Sequence, residues 1–465
     1  MAQSANEPLR SDVLAGQRLY RDGRFLDAWD FCQRWSAPES WSDPTALYWG
    51  ALLVRQLGDS KRHDQLVWRM WRLQRHDPVA IEGRIRLIWS RRGTDAAWRA
   101  LSELSASWAD NDARARGLRC ELLLSVRDLA AVSELVDTLD TAIPDEPWLS
   151  TIRPSLLTAQ GRPDEALACF AKTLQQWPGF RPAILSGADL LVRLGRIDEA
   201  LTWLRRGDEA TGQSFMVCWQ RLYLASELEL WDEADAAASR CPTLAPLADD
   251  QLRPTIAGRL AQDRWRRGDR VGARTLSVNA DPKLHERLMA ASDQSQRRVL
   301  AVPIVLQDHA TCGPATLASL LAFHGLPGGQ DEVRDAIWWI GTSDWKERSW
   351  CVKRGLVVRE FTVTWETLCA LIDRGLPFAV TTRESASAHL QAVAGYDSGL
   401  GTIILRDPGS WYRREVAWKE WYARYEQVPL RGLIVAPDAR RDELLGLDLT
   451  DAILWDLRFN LLESL

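Results

Sequence analysis

A period of 34 residues governs the first 285 positions of the chain. Asp164-Glu165-Ala166, Asp198-Glu199-Ala200 and Asp232-Glu233-Ala234 recur at that interval, and Gly161 and Gly195 keep it. Upstream, Gly93, Gly58 and Gly23 fall at steps of 34 or 35, and Arg127 stands on the rung where a Gly is missing. Downstream, Glu229 holds the next rung, and Gly268 with Ala273 resumes the pattern after a five-residue insertion. Such a period predicts one helix-turn-helix per unit. The Gly belongs in the turn, where positive φ is needed. The Ala belongs where the two helices cross closely. Pro178 and Pro246, at equivalent ends of their units, stop the second helix. Units of this kind cannot bury their apolar faces alone and stack into a superhelix. Seven units are expected over about residues 10–285, most clearly from 147 to 212.

GRPDEALACFAKTLQQWP and GRIDEALTWLRRG resemble the second-helix signature of the tetratricopeptide repeat. The resemblance implies a concave face that binds a peptide or partner protein. The Leu, Trp and Ala stripes read as core, and 15 of the 24 Trp lie before residue 300. The basic run Arg264-Trp265-Arg266-Arg267 reads as a solvated face.

Composition removes several function classes. The 465 residues include 58 basic and 63 acidic side chains, for a net charge of -5. That balance argues against nucleic-acid binding, which wants a strong positive footprint. The longest uncharged apolar run, Ala46 to Val54, is too short to span a bilayer. The N-terminus lacks a basic start followed by an apolar stretch, so no secretory signal and a cytoplasmic location are expected. The eight cysteines (32, 120, 169, 218, 241, 312, 351 and 369) form no CxxC pair. Neither a metal centre nor a disulfide framework is indicated, and no cofactor is expected.

The texture changes near residue 290, where a polar stretch (286–299) reads as a linker. Leu300 to Leu306 suits an edge strand or extended entry segment. Gly313 to Phe323 reads as a helix with Pro314 in its first turn and Leu317, Leu320 and Leu321 on one face. Asp331 to Trp339 suggests another helix. Val357 to Val363 reads as a strand and Trp365 to Asp373 as a helix. Strand-like runs follow at Phe378 to Arg383, His389 to Tyr396, Thr402 to Arg406 and Leu430 to Val435, with a Gly-rich hairpin turn at 397–401. The predicted architecture is multidomain: an all-α helical-repeat solenoid (1–285), the linker, an α+β domain (300–437) and a helical tail (438–465). The tail is expected either to cap the fold or to open further repeats.

The chemistry collects in the α+β part. Cys312 stands at a helix start, where free backbone N–H groups and the helix dipole favour the thiolate, the form that attacks a carbonyl. Gln307, five residues upstream, is suited to join the Cys312 backbone N–H as donor to an oxyanion. His389 opens a strand as candidate general base and acid. Asp407 ends the next strand, and a short hairpin brings it beside His389 to fix the ring and stabilise the imidazolium.

VPIVLQDHATCGPATLASLLAFHG, HLQAVAGYD and ILRDPGSWY, taken together, resemble the C39-type peptidases of the papain-like superfamily, in particular the stand-alone C39-like branch. The resemblance implies a papain-like fold, peptide-bond hydrolysis, a peptide or protein substrate, and an active site formed by Gln307, Cys312, His389 and Asp407. Thr311 departs from the Asp that many relatives carry before the Cys. Relatives that process double-glycine leaders are often fused to membrane transporters, and no such segment is present, so that specificity is not carried over. Acyl transfer of the transglutaminase or amidase kind, or a non-catalytic repeat scaffold with a degenerate peptidase-like module, remain the alternatives. His309 and His324 read as structural or exposed, and Asp397 as a turn cap. Cys351 and Cys369 read as packing residues. Trp411, Trp418 and Trp421 suit either a peptide cleft or core and rim packing.

Overall fold

The computed structural model describes residues 8–104, 112–142, 147–292, 294–308, 310–339, 341–383, 388–425 and 427–464. The chain divides into two compact units, Met1–Ile256 and Ala257–Leu465. The first is an all-α repeat solenoid and the second carries an antiparallel sheet.

The predicted turns of the repeat take the backbone conformation that their period demanded. Gly23, Gly58, Gly93, Gly161, Gly195 and Gly268 all have positive φ, and so do Arg127 (φ 61°) and Glu229 (φ 60°) on the two rungs without a glycine. Each turn joins two helices, as in Pro163–Gln176 after Ile152–Ala159 and Ile197–Thr211 after Arg181–Arg193. Five residues past the turn, Ala28, Ala166, Ala200, Ala234 and Ala273 are buried where the helices cross. His63 and Val132 hold the same rung and are buried too. Pro178 and Pro246 fall just beyond Pro163–Gln176 and Trp231–Leu244. Within the first unit the stack ties early turns to late ones. The Gln213 side chain accepts from the Leu26 and Asp27 amides (3.0 and 3.1 Å), and the Leu247 amide donates to the Leu57 carbonyl (3.0 Å).

The division at 256 falls earlier than the expected end of the array at 285. Eight helix pairs are present among the described residues where seven units were expected. The last pair, Leu252–Arg266 and Arg270–Ser277, joins the second unit through its core. Ala261, Trp265, Ala273, Leu284, Leu288 and Ala291 share one apolar cluster with Leu400 of the sheet hairpin. The basic run is accordingly no solvated face. Trp265 is 1% exposed and donates its indole N–H to Asp397 (2.7 Å). Arg266 is buried against Asp263 and Glu415 (3.3 and 3.4 Å). Apolar stem and charge-paired head together make an arginine in a core affordable.

The second unit is built on seven strands: β1 (Arg297–Val299), β2 (Val357–Thr362), β3 (Phe378–Arg383), β4 (Ala388–Asp397), β5 (Thr402–Arg406), β6 (Arg414–Ala417) and β7 (Arg431–Ala436). Their order is β2-β7-β3-β4-β5-β6, all antiparallel, with β1 added to β4. The segment expected as a linker thus contains a strand, and the ladder runs through 297–299 rather than 300–306. Gly395 permits this approach, since a Cβ there would lie 2.3 Å from the Arg298 carbonyl oxygen.

Helix α1 (Cys312–Phe323) packs on one face of the sheet, with α2 (Gln330–Ile337) and α3 (Asp344–Lys353) after it. The other face carries α4 (Trp365–Asp373), capped by Thr364, whose hydroxyl accepts from the Thr367 amide. Trp418 and Trp421 of α5 (Trp418–Arg424) pack against this second core with Trp365 and Tyr422, and neither lines the cleft described below. The C-terminal segment ends in α6 (Ala452–Glu463), fastened by Arg348–Asp456 (2.6 Å) and Ser349–Glu463 (2.7 Å).

Candidate active site

The sheet end where β3 and β7 meet the start of β4 opens into a cleft of about 680 Å³, lined by Gln307, Cys312, Thr342, Asp344, Glu347, Arg383, His389, Arg431 and Arg458 among others. Three of the four sequence-predicted site residues line it, and the fourth, Asp407, lies directly behind His389.

Cys312 is the first residue of α1, at the end of the helix where backbone amides lack intrahelical partners. The turn before it is tight: Ala310 adopts φ 53° and accepts at its carbonyl from the Trp338 indole (2.9 Å). The buried Thr311 hydroxyl accepts from the Asp308 amide (2.9 Å), so the residue that departs from the familiar Asp closes this turn. The Gln307 amide donates to the Pro408 carbonyl (2.8 Å), which seats Gln307 beside the loop that carries Asp407.

His389 stands at the second position of β4, opposite Thr382 of β3. Its Nε2 hydrogen-bonds Asp407 Oδ1 at 2.9 Å, and the ring lines the same cleft as the Cys312 thiol, near enough for each to shift the other's pKa. Asp407 is fixed in turn by the Gly409 amide (2.8 Å) and by Arg414 of β6. Sequence reasoning missed Arg414, because nothing local marks an arginine seven residues on as the partner of that carboxylate.

Electrostatics follow from these contacts. Burial alone would raise the Cys312 thiol, but hydrogen bonds from His389 and the Leu390 backbone outweigh it and lower the pKa. Burial would lower His389, yet its bonds to Asp407 and Cys312 raise it to about 9. Burial likewise opposes Asp407, and His389, the Gly409 amide and Arg414 outweigh it and hold that carboxyl far below its usual range. Both shifts act in the same sense, favouring the thiolate and imidazolium forms of the pair.

The remaining cysteines of this unit differ. Burial pushes Cys351 and Cys369 up to about 12. Asp397 caps the hairpin turn through the Gly399 and Leu400 amides, both at 3.0 Å. His324 is partly buried away from the cleft, and His309 lies outside the described residues. Among the described residues no group of three or more His, Cys, Asp or Glu could hold a metal ion, and no helix is long and apolar enough to cross a membrane.

A second layer sits under the cleft. Arg431, fully buried, donates to Glu360 (2.5 Å), Glu347 (2.6 Å) and the Asp344 carbonyl (3.0 Å). Burial raises Glu347 to about 7 despite Arg431. No hydrophobic periodicity betrays this network, because its members are charged residues on α3, β2 and β7.

Residues 299–429 match the Peptidase_C39 like family. Residues 157–215 match the tetratricopeptide repeat. The C39-like match covers Gln307, Cys312, His389 and Asp407 but ends before β7 and α6. Among solved structures, the peptidase domain of Streptococcus ComA, a bi-functional ABC transporter, is 22% identical, with 31% of this chain and 100% of that one covered and a TM-score of 0.25. A thermophilic tetratricopeptide repeat protein of Thermus thermophilus is 18% identical over 39% of this chain and 97% of that one, with a TM-score of 0.32. PilF of Pseudomonas aeruginosa is 16% identical over 44% and 92%, with a TM-score of 0.29. No curated protein matches the chain.

Proposed function

We propose that the chain is a cysteine peptidase in which Cys312 is the nucleophile, His389 the general base and acid, Asp407 the residue that orients it, and Gln307 an oxyanion donor. The observation that carries this reading is the His389 ring, hydrogen-bonded to Asp407 and lining one open cleft with the Cys312 thiol.

The thiolate attacks the scissile carbonyl, and the carbonyl π pair moves to oxygen. The Cys312 amide and the Gln307 side chain donate to that oxyanion. The C–N bond then breaks as the His389 imidazolium gives its proton to the departing amine, which leaves a thioester on Cys312. Neutral His389 next takes a proton from water. The hydroxide adds to the thioester, and the thiolate leaves with the acid product. Asp407 holds the ring through both proton transfers.

The repeats recruit a peptide or protein in this reading. An opening of about 520 Å³ between the helices Pro163–Gln176, Arg181–Arg193 and Ile197–Thr211 supports it, lined by Leu167, Leu191, Trp203 and the charged Arg196, Glu199 and Arg206.

The test is Cys312→Ala in the full chain. Wild type should react with iodoacetamide at Cys312 below pH 7 and cleave peptides from a proteome-derived library. The variant should lose both and keep its circular dichroism. Rapid acid-pH alkylation of another cysteine, with Cys312 inert, would sink the assignment.

A further inference from the structure

Beside Cys312 the cleft continues along a polar wall assembled from three elements. Asp344, at the start of α3, is its centre. Its Oδ1 accepts from the Trp345 amide (2.9 Å), and its Oδ2 accepts from both Arg383 of β3 (3.3 Å) and Arg458 of α6 (2.6 Å). The shared acceptor holds two guanidinium groups side by side, their Nη2 atoms no further apart than those two distances together.

The donors on this wall outnumber its free acceptors. Among the described residues, Arg383 and Arg458 each donate one hydrogen bond, both to Asp344, out of five N–H donors apiece. Their side chains remain 45% and 39% exposed and line the cleft. Asp344 is engaged by the contacts above, and Glu347 is paired with Arg431 through Oε2. Arg431 is buried and donates to Glu360, Glu347, Thr381 and the Asp344 carbonyl. One carboxylate facing two half-free guanidiniums leaves unused N–H donors within the same cleft as the sulfur.

We propose that Arg383 and Arg458 form a subsite for a carboxylate of the substrate, so that peptides presenting an acidic side chain or a C-terminal carboxylate to this wall are preferred. A carboxylate bridging the two forks would gain charge-assisted hydrogen bonds with fixed geometry. The subsite is an addition of this chain to its C39-like core, since Arg458 lies on α6, outside the matched residues 299–429. Preferred cleavage rests on the peptidase reading, but carboxylate binding does not.

The experiment compares wild type with Arg383→Gln/Arg458→Gln, and with Arg458→Lys, which keeps the charge. Paired peptides differ by Glu against Gln at each position near the scissile bond, with amidated C-termini. A second pair has a neutral sequence and either a free or an amidated C-terminus. The first pair reads an acidic side chain, the second a terminal carboxylate. The wild type should favour one charged member by on the order of tenfold in kcat/KM. The Gln double variant should lose that ratio and Arg458→Lys retain part of it. An equal ratio in wild type and double variant overturns the subsite. Should no peptide be turned over, Cys312 still reports. The rate of alkylation by iodoacetate relative to iodoacetamide should fall several-fold in the double variant. An unchanged ratio overturns the subsite on its own, separately from any failure of the peptidase reading.

Discussion

Arg127→Gly and Glu229→Gly should each stabilise the protein, although each deletes a charged side chain. Both residues occupy the left-handed region, at φ 61° and 60°, on rungs where six other turns carry glycine. An L-residue with a Cβ costs about 1–2 kcal/mol there. Glycine removes that cost but widens the unfolded ensemble, which takes back about 0.5–1 kcal/mol. The net gain is therefore about 0.5–1 kcal/mol per site. Lost contacts subtract little at Arg127, whose side chain is exposed and, among the described residues, reaches only the Ala159 carbonyl, at 3.4 Å. The two sites are turns of different repeats, so the double variant should gain about 1–2 kcal/mol. In a helical unit of this size that raises the melting temperature by a few degrees, roughly 2–4 °C per kcal/mol. The reciprocal variants, Gly161→Ala and Gly195→Ala, isolate the backbone effect. No atom lies within 4 Å of either added Cβ, and φ is 73° at both. They should lose about 1 kcal/mol each with no steric contribution. Urea and thermal unfolding followed by far-UV circular dichroism would measure all four. If the rung glycines tolerate alanine freely while Arg127→Gly and Glu229→Gly destabilise, the backbone argument for the 34-residue period is wrong.

Three further expectations concern the second unit. Asp407→Asn removes the charge that helps hold His389 at about 9. The thiolate–imidazolium pair exists between the lowered Cys312 value and that upper limit, so the alkaline limb of the pH–rate profile should move down towards the ordinary histidine range near 6.5. Turnover should drop by roughly tenfold or more, and an unmoved limb would show that Asp407 does not act through His389. The Glu415 side chain, buried among Arg297 (2.9 Å), Arg266 and Thr402, is held by those partners at about 2 against its burial. A depressed carboxylate stabilises the fold above its unfolded value near 4.3 and loses that contribution as pH falls towards 2. Glu415→Gln should therefore cost about 3–5 kcal/mol at neutral pH, and the deficit should shrink on acidification, as chemical denaturation at pH 7 and pH 3 would reveal. Trp265→Phe deletes the indole bond to Asp397 while keeping most of the buried ring. It should cost about 1–3 kcal/mol in urea unfolding, and a loss below 0.5 kcal/mol would mean that this bond contributes nothing net.

Much of the second unit could be read directly because its elements are local. α4 and the strands β3 and β5 lie where alternation and flanking turns predicted them, at Trp365–Asp373, Phe378–Arg383 and Thr402–Arg406. By contrast α3 gave no helical signal: it buries Glu347, Arg348 and Ser349, which read as surface residues in one dimension. β6, whose four residues are all half-buried, showed no alternation. The basic run at 264–267 misled for the same reason, since the acids that pair with Arg266 include Glu415, 149 residues away.

The order of residues alone dictated the repeat, because a turn that needs positive φ and a crossing that needs a small side chain are demands met within one 34-residue unit. It also supplied the four polar side chains and the helix start beneath Cys312. Folding in three dimensions decided what those side chains meet. Arg414 behind Asp407 and the C-terminal helix that carries Arg458 to the cleft are set by how separate elements pack. Charges become core residues only when a partner arrives from elsewhere in the chain, and no local pattern records that arrival.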